Sequence, residues 1–220
     1  MVVEIADISS AVGTARYADA ERLAETFLVA HPGDEAALTL LGIARQLQGR
    51  PHDAAANYAE LTRRFPQTRE HWSNLGTALR EAGDLNGAET AYRRALVLAP
   101  DDGTVLGNLG LLHMERYEFM QARALLLDAV RALPNDAEFR IYAAMMCYEC
   151  GDNPTAETLL EDWQRWDALG DELRIDLAWM LVQLGQIADG ESLLNRSRTL
   201  GGDNPRVLSR LVLLLERVNR

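Results

Sequence analysis

The side chains best suited to chemistry are few and scattered. Cys147 and Cys150 stand three apart, the spacing of a redox dithiol or of half a metal site. No second cysteine pair completes such a set, and His31, His52, His71 and His113 are far apart along the chain. A phosphate-cradling glycine loop, an H-E-x-x-H helix and a G-x-S-x-G elbow are all missing. Acid pairs such as Asp101-Asp102 and Glu161-Asp162 could act as general acid and base. Each falls at a loop or helix end, however, where carboxylates usually cap a helix or face solvent. These residues imply no catalysis within the chain, no cofactor and no metal.

What positions them is a repeat. Proline returns every 34 residues, at Pro32, Pro66, Pro100 and Pro134, and alanine keeps the same beat at Ala20, Ala54, Ala88, Ala122 and Ala156. A period of that length marks stacked supersecondary units. The rows run 1–34, 35–68, 69–102, 103–136, 137–170 and 171–204, with 205–220 supplying one helix of a further row. A small residue in the first half of the row (Gly42, Gly76, Gly110, Ala144, Ala178) lets two helices approach closely. A mid-row glycine (Gly49, Gly83, Gly151, Gly185) suits the left-handed end of a helix. The proline stops the second helix. Each row therefore predicts a helix-turn-helix hairpin that must stack on its neighbours to bury its apolar face. On this register Cys147 faces the core and His113 lies between helices, which makes both structural.

The row 69–102 carries Trp72, Leu75-Gly76, Gly83-Asp84, Ala88, Tyr92, Ala95 and Pro100, and the rows on either side repeat most of these positions. This resembles the tetratricopeptide repeat, W-x2-L-G…A-x3-F…P. The resemblance covers nearly the whole chain and is of the bacterial type. The rows are also similar to those preceding sulfotransferase or O-GlcNAc-transferase-like domains. It implies an all-α fold, a right-handed superhelical solenoid of antiparallel helix hairpins, as a single domain over 1–220. The pattern drifts at both ends: row five places Trp163 where rows three and four have Ala95 and Ala129, and it lacks its proline.

Composition narrows the partners. The net charge of −11 argues against a nucleic-acid surface, which needs a basic stripe. All 22 basic residues are arginine, so the lysine-containing carboxylate clamp of some tetratricopeptide domains cannot be assembled with its usual residues. No apolar run is long enough to insert in a membrane, and the first residues lack a signal-peptide pattern, so a cytoplasmic location is expected.

The resemblance further implies that the first helix of each row lines a concave groove. One lining position reads Leu40, Asn74, Asn108, Tyr142, Asp176, Arg210. Asn74 and Asn108 form two rungs of an amide ladder, able to donate to and accept from a peptide backbone. The next positions give Thr77 and Arg80, then Leu111, Met114, Met145, Tyr148, Trp179 and Val182, an apolar stretch suited to adaptable contacts. Glu81, Glu115 and Glu149 would rim it with negative charge. The expected function is a scaffold that binds a protein or peptide segment in this groove. Two alternatives stand beside it: a substrate-recruiting module of a larger transferase, and a self-associating module. Leu211, Val212, Leu213, Leu214 and Leu215 cover every face of the last helix, which predicts a homodimer contact or a chain that continues into a downstream domain.

Overall fold

The computed structural model describes residues 3–166 and 169–200; the run Leu211–Leu215, with the dimer and continuation readings placed on it, lies outside them. Among the described residues there are twelve α-helices, one 3-10 turn and no strand: α1 (Ile5–Gly13), α2 (Tyr17–Ala30), α3 (Glu35–Leu47), α4 (Pro51–Arg64), α5 (Arg69–Glu81), α6 (Leu85–Leu98), α7 (Gly103–Glu115), α8 (Phe119–Ala132), α9 (Ala137–Glu149), α10 (Asn153–Leu160), α11 (Asp171–Gln183) and α12 (Ile187–Leu200). The first helices from α3 onward start at 35, 69, 103, 137 and 171, and the second helices at 17, 51, 85, 119, 153 and 187. The spacing is 34 residues throughout, as the prolines and alanines imply.

Local chemistry sets these boundaries. Asp34, Asp102 and Asp136 accept a hydrogen bond from the backbone N–H three residues on, at 2.8 to 3.0 Å, and so open three of the first helices. Asp102 is thus a cap, as its place in the acid pair suggested. The prolines act through the residue before them. His31, Phe65, Ala99 and Leu133 close their helices with ψ between 62° and 88°, the non-helical backbone that a following proline favours. The mid-row turn needs a left-handed residue, and Gly49, Gly83, Gly151 and Gly185 supply it with φ between 72° and 85°. The same row position holds Ala15 (φ 57°) and Tyr117 (φ 61°), so two rows make the turn without glycine.

The helices gather into two compact units, Met1–Leu112 and His113–Arg220. In the first, α3 packs on α2 and α4, and α5 on α4 and α6. Its core is built around Leu38, Tyr58, Leu61 and Leu75, with Ile8, Ala24 and Leu41 at the N-terminal end. The small residues earn their place here: a Cβ on Gly42 would lie 2.7 Å from the Tyr58 ring, and one on Gly76 would lie 2.6 Å from the Tyr92 ring.

In the second unit α9 packs on α8 and α10, while α11 packs on α9 and α12. The row of α10 departs from the plan. This second helix stops at Leu160 after 8 residues where α8 has 14, and the chain continues in a 3-10 turn at Trp163–Arg165. Trp163 therefore leaves the helix altogether instead of replacing a small residue within it. Arg140 of α9 holds the broken end. Its Nε donates to the Leu159 carbonyl at 2.9 Å, its guanidinium pairs with Asp162 at 2.5 Å, and its charge sits 4.8 Å from the Trp166 ring centre. The core beneath comprises Ile141, Ala144, Cys147, Leu160, Ile175, Leu177, Ala178 and Leu181.

Candidate functional site

The side chains best suited to chemistry are packed or paired within the helices. Cys147 is buried, and burial pushes its thiol up to about 11, so it is protonated and inert near neutrality. His113 is buried and its Nδ1 lies 2.5 Å from Glu118, the residue that opens α8. His71 is buried with its Nε2 2.7 Å from Glu35 and its ring against Phe65. Asp162 is the partner of Arg140, whose hydrogen bond holds its carboxyl below the usual range.

The residues that the sequence reading assigns to a groove lie on the first helices of each unit. In the first unit Asn74 and Asn108 occupy the same position of α5 and α7. Both are half-buried, and neither side-chain amide makes a hydrogen bond to the described residues. Each can thus offer an N–H donor and a carbonyl acceptor to a ligand. Thr77 and Arg80 sit along the same stripe but already have work to do. Thr77 accepts a hydrogen bond from the buried Tyr92 hydroxyl at 3.1 Å, and Arg80 also bonds that oxygen. Tyr92 therefore reaches from the second helix, over Gly76, to the base of the stripe. Sequence reasoning missed this role, although a legible signal exists: Gly42 and Gly76 are each followed 16 residues later by a tyrosine, Tyr58 and Tyr92.

The apolar residues divide differently from expectation. Leu111 is buried and presents almost no surface, whereas Met114 is half-buried. Within the second unit Met145, Tyr148 and Trp179 are half-buried and pack against the core cluster. Tyr148 and Trp179 meet edge to face, with ring centres 6.0 Å apart at 81°. Val182 leans on α12, where a Cβ at Gly190 would lie 2.6 Å from its Cγ2.

The rim acids prove to be connectors in part. Gln46 donates to Glu81 at 2.9 Å, and the Tyr148 hydroxyl donates to Gln183 at 3.2 Å. Both bonds join a residue to one 35 positions later, so the same bridge between successive first helices recurs in each unit. Glu149 is exposed.

Helical hairpins in a fixed register, with ligand-capable side chains on one face of the first helices, define a repeat scaffold of the protein-interaction class. Residues 39–103 and 108–172 match the tetratricopeptide repeat model, and the chain belongs to that family. Over 208 residues it is 23% identical to cellulose synthase operon protein C of Pseudomonas fluorescens (strain SBW25), covering 86% of this chain and 16% of that protein. It is 26% identical over 118 residues to BBSome complex member BBS4 of Bos taurus, covering 54% of this chain and 23% of that protein. The chain thus spans less than a quarter of the length of either relative. Among solved structures it is similar to Pseudomonas aeruginosa pilF, with a TM-score of 0.77, 15% identity and 93% of each chain covered, a likeness of fold.

Proposed function

We propose that the chain is a scaffold that binds an extended segment of a partner protein along the first helices, with no catalysis of its own. The observation that carries this reading is the pair of unpartnered amides. Asn74 and Asn108 stand one row apart, half-exposed, with neither donor nor acceptor bonded among the described residues. An amide that bonds one peptide unit of a ligand main chain is indifferent to the ligand's side chains, and two of them fix its direction. The second unit, taken by itself, has half-buried Met114, Met145, Tyr148 and Trp179, which could offer apolar contacts of their own to a partner's side chains.

The test is affinity for peptides selected on the protein from a random 12-residue display library. Asn74→Ala with Asn108→Ala should weaken the tightest synthetic peptide by about tenfold or more, since each charge-neutral hydrogen bond contributes about 1 kcal/mol. Unchanged affinity would remove the ladder. A second reading is that the chain recruits partners on behalf of a larger protein. The match to 16% of cellulose synthase operon protein C favours it, and the groove would serve the same purpose there.

A further inference from the structure

Resting on the peptide-groove reading, we infer that the Tyr58 hydroxyl is a further binding group of the first unit, donating a hydrogen bond to a main-chain carbonyl of the bound segment one row before Asn74. At the ladder position this row carries Leu40, which has no amide to offer. Its polar group comes instead from the second helix. Tyr58 of α4 crosses α3 at Gly42, where an added Cβ would lie 2.7 Å from Cε1, 2.8 Å from Cζ and 3.2 Å from the hydroxyl oxygen. The tip of the side chain is thus what reaches the first helix. Tyr92 takes the same route one row later, past Gly76, and its hydroxyl donates to Thr77 at 3.1 Å. In the row of Tyr58 the place of Thr77 is held by Ile43, whose side chain carries no oxygen. Gln46, at the place of Arg80, donates to Glu81 at 2.9 Å. The Tyr58 hydroxyl consequently makes no hydrogen bond among the described residues.

That position is costly unless something answers it. Tyr58 is only 1% exposed, yet its hydroxyl is not sealed from solvent. A polar group held so deep without a partner loses its hydration and gains nothing in return. So narrow an opening admits one projecting atom rather than a branched group. Burial first, and then the charge of Glu81, push the phenol well above its ordinary range, so the hydroxyl keeps its proton and can donate. Glu81 also disfavours an anionic acceptor there. A neutral carbonyl oxygen meets both conditions, and a peptide main chain presents one at every residue. Tyr58, Asn74 and Asn108 all belong to the first unit. The hydroxyl therefore continues the ladder into a row whose own ladder residue is apolar.

The experiment uses the full chain and the tightest peptide selected from the same 12-residue library. Tyr58→Phe removes the hydroxyl and keeps the ring over Gly42. It should weaken that peptide by about threefold to tenfold, the size of one neutral hydrogen bond. The urea midpoint of the unliganded protein should stay unchanged. Each peptide bond of the ligand is then replaced in turn by an ester, whose carbonyl is a weaker acceptor. At one position the loss on the wild-type protein should be about twice the loss on Tyr58→Phe or more. Unchanged affinity of Tyr58→Phe, or equal ester losses on the two proteins, would overturn the inference and leave the asparagine ladder to its own test. A lower urea midpoint with affinity intact would make the hydroxyl structural and overturn the inference as well; if both fall, the ester comparison decides. Weaker binding by Tyr58→Phe with indifference to the Asn74/Asn108 changes would support this inference and remove the ladder. A library that yields no binding peptide would overturn both readings.

Discussion

At the scale of single residues, the mid-row turn shows how backbone geometry can be separated from packing. A Cβ at Gly151 would meet nothing within 4 Å, yet its φ is 81°. Gly151→Ala therefore changes backbone strain alone and should destabilise the protein by about 1 kcal/mol in urea unfolding. Tyr117 is the reverse case. It holds φ 61° and is 79% exposed, with an edge contact to Phe119. Tyr117→Gly should raise stability by about 0.5–1 kcal/mol, measured the same way. A loss of stability would mean that the aromatic contact outweighs the strain. The sequence showed the four glycines of this turn plainly. The fifth and sixth positions were hidden because nothing in the types Ala15 and Tyr117 announces a left-handed backbone, and only the register identifies them.

At the scale of elements, what was legible is what depends on period. Helix starts, the small-residue contacts and the burial of Cys147 and His113 all follow from counting in rows. The shortened α10 does not. Trp163 and the missing proline hinted at drift, but a helix that ends early is decided by tertiary partners, here an arginine on a different helix and a second tryptophan at 166. Likewise Thr77 and Arg80 read as free groove residues until the Tyr92 hydroxyl is placed between them. Arg140→Met tests the account of the break. It leaves the Leu159 carbonyl and the Asp162 carboxylate without their shared donor, and should cost about 1–3 kcal/mol. The change should appear in the unfolding transition followed by tryptophan emission. A neutral result would assign the early stop to Trp163 packing alone.

At the scale of the whole molecule, acid acts on both units through different carboxylates. Burial alone would raise the Glu21 carboxyl, but hydrogen bonds from Arg45, Gln48 and Arg50 together overcome it and hold it below the usual range. Asp162 is lowered chiefly by Arg140. A carboxyl lowered on folding contributes stability that is present above its unfolded value and is lost as pH falls through the folded one. The urea midpoint should therefore drop between pH 6 and pH 3, and Glu21→Gln should flatten that drop; an equal drop in the variant would count against Glu21. The constant register has a different consequence, for cutting and rejoining the gene. Removing residues 69–102 would join Thr68 to Gly103 and keep the 34-residue spacing of the helix starts that follow, whereas removing one residue more, the first of α7, would turn the rest of that helix by roughly 100° relative to the loop before it. A deletion of one whole row preserves that spacing.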